Sequence, residues 1–137
     1  MPVRNELGHH QAVQIIDAVR RELEERGTGA AVAVVDPHGE LIALLRTDGC
    51  PLASINIAIH KAFTAARERV ESAVVGERSR AEGFPMTNFG DLRYTAWGGG
   101  VPLFDDGKVI GAVGVSGLPE EEDIELARLG AAAAKTE

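Results

Sequence analysis

The chain has 137 residues, of which 45% are hydrophobic and 26% are charged, and its formal net charge is −7. This length and composition predict one compact domain spanning residues 1–137 and exclude a disordered chain. Because 21 acidic side chains face only 14 basic ones, we expect no nucleic-acid partner. The single Cys50 excludes an intramolecular disulfide, and no apolar run follows Met1–Arg4. We therefore expect no secretory signal, no membrane span and a cytoplasmic location.

The first half of the chain has the pattern helix, strand, strand, helix. Apolar residues recur at helical spacing from Gly8 to Arg26. The continuous apolar run Ala30–Val35 predicts a strand, and Glu40–Leu45 predicts a second strand after a turn. After a polar loop, Ser54 is placed to cap a helix that extends to about Val70.

The second half begins irregularly and ends in a hairpin and a helix. Residues 71–90 lack sustained periodicity, which predicts a functional or mobile loop with at most a short helix. Tyr94–Trp97 is a candidate brief strand, and Val101–Phe104 is joined by a turn to the predicted strand Lys108–Val115. An alanine-rich helix follows Pro119. Hairpins rather than crossovers predict an antiparallel sheet flanked by helices, an α+β fold.

Five motifs resemble the GlcG/HbpS-like family, a haem-degrading, DUF336-type domain, and they occur in the family's order over nearly the whole chain. They are Ala33–Leu41, Arg46–Gly49, Ile57–Ala66, Gly99–Leu103 and Gly107–Gly117, and the resemblance is weakest over residues 70–97. It implies a profilin-like three-layer α/β/α sandwich with a five-stranded antiparallel sheet, assembled into a homo-oligomer. Family members include a secreted haem-binding redox sensor and the C-terminal domain of PduO-type cobalamin adenosyltransferases. The resemblance therefore implies a small-molecule ligand, haem or a corrinoid.

Polar residues on the second helix are candidates for chemistry. Lys61 and Thr64 match family motif positions, as does the loop that begins at Arg46 and contains Asp48. A cation, a hydroxyl and a carboxylate together can bind an organic acid or move a proton. The structural alternative is that Lys61 pairs with Asp48 or caps a carbonyl, while Thr64 bonds the preceding helical turn. His60 departs from the family pattern and is either a base facing a pocket or an ordinary helix histidine.

Histidines at the start of the first helix are the haem candidates. A histidine on this helix is an axial haem ligand in some family members, so the resemblance makes His10 the candidate ligand, if haem is bound. The alternative is that His9 and His10 are simply solvated. No zinc-ligand spacing is present, so we expect no metal site. Pairs of glutamates one helical turn apart are interpreted as solvated helix faces: Glu22/Glu25, Glu68/Glu71 and Glu122/Glu125.

Five of the six aromatic residues lie within residues 84–104, beside a run of three glycines. Tyr94 and Trp97, followed by Gly99 and Gly100, are candidate ligand-binding residues because aromatic faces on a flexible backbone can pack against a planar ligand. The alternative is a satellite core or an oligomer interface.

Two functions are compatible with these patterns. The first is a small-ligand-binding protein that holds haem, a corrinoid or another organic ligand in a cleft between the second helix, the Arg46 loop and the glycine run. The alternative is a small enzyme that uses Lys61 and Asp48, with His60, for proton transfer or hydrolysis on a carboxylated substrate. A plain oligomeric scaffold is the third possibility.

Overall fold

The structure is a computed structural model that describes residues 6–134. The prediction of no signal segment rests on Met1–Arg4, and the predicted final helix includes residues 135–137, so both extend outside the described residues. The helices are α1 (His9–Arg26), α2 (Ser54–Glu68), α3 (Ser72–Glu82) and α4 (Glu120–Ala133); the strands are β1 (Ala31–Val35), β2 (Leu41–Arg46), β3 (Gly100–Asp105) and β4 (Lys108–Ser116). Of these helices, none combines the length and apolarity that crossing a membrane requires.

The described strands form one antiparallel sheet in the order β2-β1-β4-β3. The α+β class is therefore as predicted, but the expected five-stranded sheet is wrong, because residues 6–134 form a sheet of four strands. The candidate strand Tyr94–Trp97 does not pair with the sheet. Its backbone is bound by side chains instead: the Thr95 amide donates to Thr64 Oγ1 at 2.9 Å, and Ser72 Oγ donates to the Trp97 carbonyl at 2.8 Å.

Helices cover both faces of the sheet. α2 lies on one face, with α3 beside it, whereas α1 and α4 pack together on the other. The central strand β1 is buried along its whole length. Its residues alternate between the faces: Ala31 and Ala33 contact the α2 side, and Val32 and Val34 join the larger core under α1 and α4. Val35, at the end of β1, packs against the alanines of α2, so the side chains that face α2 are small except at that end.

Glycines let α2 lie directly on the strands. A Cβ added at Gly114 would lie 2.1 Å from the Ala58 carbonyl oxygen and 2.7 Å from the Ala62 nitrogen. A Cβ at Gly100 would lie 2.0 Å from the Lys61 carbonyl oxygen. Both clashes are with backbone atoms, so side chains at these positions would push the helix off the sheet. This close approach brings Lys61 to the end of β4.

The segment after α2 is more helical than the expected short helix. α3 has 11 residues and ends at Gly83, which adopts the left-handed conformation. Among its residues only Ser72, Val75 and Gly76 are buried. Such a small buried set leaves no helical repeat of apolar residues, which is why periodicity did not predict its length.

Candidate functional site

Lys61 is a buried lysine with two fixed partners. It lies on the sheet-facing side of α2 and is 3% exposed. Its Nζ donates to the Val115 carbonyl oxygen at 3.0 Å and to Asp123 Oδ2 at 3.0 Å. The side chain therefore connects α2 with the end of β4 and with α4. The alternative that Lys61 caps a carbonyl describes one of these bonds, but its carboxylate partner is Asp123 rather than Asp48.

Asp123 belongs to the first turn of α4 and is 2% exposed. Its Oδ1 accepts a hydrogen bond from the Leu118 amide at 3.1 Å, and its Oδ2 accepts from Lys61. Burial raises the pKa of Asp123, and the Lys61 ammonium opposes that rise. Lys61 and Asp123 therefore form an ion pair whose two side chains are almost completely buried.

A cleft of about 400 Å³ opens above this ion pair. We call it the Lys61 cleft; it is lined by Ser54, Ile57, Lys61, Trp97, Ser116, Gly117, Leu118, Glu120 and Asp123. α2, the end of β4 and the start of α4 form its walls. Ser54 is the first residue of α2. The sequence predicted that its hydroxyl caps this helix, but no side-chain hydrogen bond caps α2.

The glycine run shapes this cleft through its backbone. A Cβ at Gly99 would lie 3.0 Å from Lys61 Nζ and 2.6 Å from the Val115 carbonyl oxygen. Gly99 also has a φ of 124°, a conformation that favours glycine. The adjacent Gly98 amide donates to Glu120 Oε2 at 2.6 Å. Gly99 and Gly100 are buried against α2, so they make room for the Lys61 head group.

The Arg46 loop lies at the same end of the sheet but does not line the Lys61 cleft. Arg46 and Ser116 both pair with Ala31, so two strand spacings, about 10 Å, separate their backbones. Asp48 is exposed and lines a different recess, beside Gly29 and the end of α1. The structure therefore does not bring Asp48 together with Lys61.

Thr64 is fully buried and acts as a bridge within the fold. Its Oγ1 donates to the His60 carbonyl oxygen at 2.8 Å, and it accepts from the Thr95 amide. This is the bond to the preceding helical turn that the structural alternative describes. The Thr64 hydroxyl therefore acts both as a donor and as an acceptor, and the hydrogen bond that it accepts attaches the segment Tyr94–Trp97 to α2.

His60 and Tyr94 lie on the outer side of α2. Burial, assisted by the nearby Arg93 guanidinium, lowers the pKa of the His60 imidazole and favours its neutral form. Hydrogen bonds from Arg93 lower the pKa of Asp91 to about 2.

The Tyr94 ring stacks on Phe89 with centroids 4.1 Å apart. Tyr94 thus belongs to a satellite aromatic cluster, whereas Trp97 is 58% exposed at the Lys61 cleft.

His10 lies far from these residues. It is exposed in the first turn of α1, where its ring contacts that of His9. The chain just before α1 is tied to the sheet by the Leu7 amide, which donates to the Ile110 carbonyl oxygen at 2.8 Å. Ile110 and Val115 are five residues apart on β4, or about 17 Å. His10 and Lys61 are therefore at opposite ends of the sheet, on helices that cover opposite faces.

A second and larger depression, of about 540 Å³, begins at Gln11, the residue that follows His10 in α1. We call it the α1–β3 groove; it is lined by Gln11, Val101, Pro102, Leu103, Phe104, Asp105, Ile110, Arg128, Ala131, Ala132 and Ala134. Most of these side chains are apolar. Arg128 contributes a guanidinium that already binds Glu71 through two hydrogen bonds of 3.0 Å.

Glutamates of the spaced pairs contact arginines. Arg26 binds Glu22 on its own helix at 2.9 Å and Glu125 on α4, and Glu71 binds Arg128. Over residues 6–134, no three His, Cys, Asp or Glu side chains are grouped to hold a metal ion. These carboxylates form ion pairs within α1, between α1 and α4, and between α4 and the residue that precedes α3.

Sequence reasoning missed Asp123 and the two hydroxyls of the Lys61 cleft. Four acidic residues, Glu120–Asp123, form the first turn of α4, where negative charge is favourable at the positive end of a helix. That explanation applies to all four residues, so it did not single out Asp123, the buried one. A usable signal was present, since Leu126 and Ala127 follow Asp123 at helical spacing and place it on the apolar face. Ser54 and Ser116 carried no comparable signal, because their environment depends on three separate elements.

Comparison with known proteins agrees with the resemblance seen in the motifs. The family model described as "Haem degrading protein HbpS-like" matches residues 7–132. Protein GlcG of Escherichia coli K12 is similar, with 36% identity over 116 residues, which cover 80% of this chain and 81% of GlcG.

Two solved structures are similar over most of their length. The structure titled PduOC:Heme Complex has a TM-score of 0.86 and 25% identity, covering 93% of this chain and 94% of that one. A double mutant of Streptomyces reticuli HbpS has a TM-score of 0.87 and 28% identity, covering 96% and 89%. Because the family model spans nearly every described residue, the chain belongs to the HbpS-like family.

Proposed function

We propose that this protein binds haem in the α1–β3 groove, where the His10 imidazole would hold the iron. The observation that carries the proposal is the apolar groove itself, which begins at the turn of α1 that carries His10. The family description and the haem complex of the similar PduOC domain support the choice of ligand.

The groove fits the chemistry of haem. Its volume of about 540 Å³ lies in the range of about 300–1,000 Å³ typical of small-molecule sites. Leu103, Phe104 and Ile110 offer apolar surface for a macrocycle. Arg128 uses two of its five N–H donors on Glu71, which leaves donors for a propionate.

His10 supplies the group that haem iron requires from the protein. It immediately precedes Gln11, which lines the groove, and its imidazole is exposed. Bound haem supplies an iron centre whose redox potential depends on the axial ligand and the polarity around it. The role of this chain is to present the imidazole, exclude water with apolar side chains and hold the propionates with a cation.

Haem titration followed by visible absorption tests the proposal. We expect a saturable Soret shift in the wild type, a weaker and spectrally different complex in His10→Ala, and wild-type behaviour in the adjacent control His9→Ala. No Soret shift in the wild type would refute haem binding. Equal spectra for His10→Ala and the wild type would refute the ligand assignment. Cobalamin added in place of haem tests the corrinoid alternative.

The groove has its own test. Ala132 is exposed on α4 and lines the groove, so Ala132→Arg should fill the space and weaken haem binding at least tenfold, by about 1.4 kcal/mol or more. Ala81→Arg, on the exposed side of α3, is the matched control and should leave binding unchanged. Equal affinities in both variants would place haem elsewhere.

The enzyme alternative receives no support from the geometry. It required Lys61 and Asp48 to act on one carboxylated substrate. Lys61 is instead paired with Asp123, and Asp48 lies in another recess.

A further inference from the structure

We propose that the Lys61 cleft is a second binding site, separate from the α1–β3 groove, for a small uncharged polyhydroxylated molecule such as a linear polyol. Its walls carry hydrogen-bonding groups that the fold itself does not use. The proposal does not depend on haem binding.

The first observation concerns two hydroxyl groups. Ser54 is 6% exposed and Ser116 is 5% exposed, and both line the cleft. Neither hydroxyl has a protein hydrogen-bond partner within residues 6–134, and both oxygens remain accessible to solvent, because no fully buried side-chain oxygen in those residues lacks a partner. An accessible hydroxyl on an otherwise buried residue bonds to whatever fills the adjoining cleft, since a hydroxyl without any partner is costly. A ligand or ordered water in the cleft would supply that partner.

The second observation is the ion pair at the base of the cleft. An ammonium group has three N–H donors, and Lys61 uses two of them on Val115 and Asp123. The position of the Lys61 ammonium group is fixed, because Gly99 and the end of β4 contact it. The third donor, the two serine hydroxyls and the carboxylate of Asp123 form a preorganised set of donors and acceptors.

Charge selects the class of ligand. Lys61 contributes one positive charge, whereas Asp123 and Glu120 contribute two negative charges, so the lining carries a net charge of −1. A carboxylate or phosphate entering this cleft would be repelled by Glu120 and would compete with Asp123 for the ammonium. Hydroxyl groups suit the site better, since each can donate to a carboxylate and accept from Lys61 or a serine.

The remaining walls match the carbon skeleton of such a ligand. Trp97 and Ile57 present apolar surface beside the polar base. Polar groups at the base with apolar walls above form the usual pattern of a specific small-molecule site. The volume of about 400 Å³ suits a molecule much smaller than a macrocycle.

Sorbitol and gluconate form a matched pair of probes, because a carboxylate in gluconate replaces one terminal CH₂OH of sorbitol. Trp97 is the single tryptophan of the chain, so intrinsic fluorescence reports on the cleft. We expect sorbitol to change this fluorescence saturably and to shift the NMR signals of the Gly117 and Leu118 amides. Gluconate should bind at least tenfold more weakly. The absence of a saturable response to sorbitol, or equal binding of gluconate, would overturn the proposal.

Variants locate the site. The double variant Ser54→Ala/Ser116→Ala removes hydroxyls that make no internal hydrogen bond, so it should fold and should bind sorbitol about tenfold more weakly. Thr28→Ala, which removes a half-buried hydroxyl that lines the recess beside Asp48 and has no side-chain hydrogen bond within residues 6–134, is the matched control and should bind normally. Glu120→Gln, at an exposed position, removes the charge that repels gluconate. The ratio of the sorbitol affinity to the gluconate affinity should therefore be smaller in this variant than in the wild type. Wild-type binding by the double variant, or an unchanged preference in Glu120→Gln, would contradict this assignment.

Discussion

At the scale of single residues, the ion pair formed by Lys61 and Asp123 is the feature of the fold that is most costly to bury. Removing both charges from water is costly, and their mutual attraction offsets this only if each keeps good hydrogen bonds. Here the Val115 carbonyl and the Leu118 amide supply additional bonds. A buried pair of this kind adds little net stability, yet losing one partner leaves the other charge unpaired.

Replacing Lys61 with Met should therefore lower the free energy of unfolding by about 3–5 kcal/mol at neutral pH. Burial already raises the pKa of Asp123, and losing the ammonium removes the main opposing interaction. A raised pKa means that the folded state binds the proton more tightly than the unfolded chain. The variant's stability should thus fall as pH rises from the ordinary value of 3.8 through the raised folded pKa.

Urea unfolding of the wild type and Lys61→Met at several pH values measures this effect. The deficit of the variant should be smallest in acid, where Asp123 is protonated, and largest at neutral pH. Arg20→Met, which breaks an exposed pair with Glu24, is the control and should have little effect. A deficit that is the same at every pH would show that the loss comes from packing rather than charge.

At the scale of elements, the contact between α2 and the sheet depends on the absence of side chains. Gly114→Ala should lower the free energy of unfolding by about 1–3 kcal/mol or more, because the new Cβ meets the backbone of Ala58 and Ala62. Chemical denaturation measures the loss. Gly8→Ala is the control, since its Cβ would meet nothing nearer than 3.9 Å. If both variants lose equally little stability, the helix is free to shift and the close contact is not required.

Elements with strong periodicity were predictable, and elements held by side chains were not. The apolar spacing of α1 and the continuous run of β1 identify them directly. The segment around Thr95 resembles a strand in composition, but Thr64 and Ser72 satisfy its backbone before any strand can. α3 buries too few apolar residues to show a repeat. Local composition does not carry information about partners 25 to 31 residues away.

At the scale of the whole molecule, two depressions lie at opposite ends of β4, and different parts of α4 line each of them. Asp123 at the Lys61 cleft and Ala132 at the α1–β3 groove are nine residues apart on α4, or about 13 Å. Of the cleft expected between α2, the Arg46 loop and the glycine run, α2 and Trp97 line the Lys61 cleft, whereas Asp48 of the Arg46 loop lines a separate recess. The expected homo-oligomer and cytoplasmic location stay predictions.

Because the two sites share no side chain, changes in one should not affect the other. Haem affinity in Ser54→Ala/Ser116→Ala should equal that of the wild type within about twofold, and sorbitol should leave it unchanged. Soret titrations with and without sorbitol measure this. Reciprocal weakening would show that the two sites are coupled through β4 or α4, which line both of them, and it would contradict their independence.

The sequence by itself determined the family and the α+β class, and it singled out Lys61 on α2 as a candidate site residue, because motif order and apolar periodicity are local properties. It also indicated His10 as a haem candidate through the family resemblance. Only the tertiary structure decided that Lys61 pairs with Asp123, that Asp48 lies elsewhere, and that the sheet has four strands. These depend on which side chains meet across the sheet, since burial and pairing arise only when distant segments pack together.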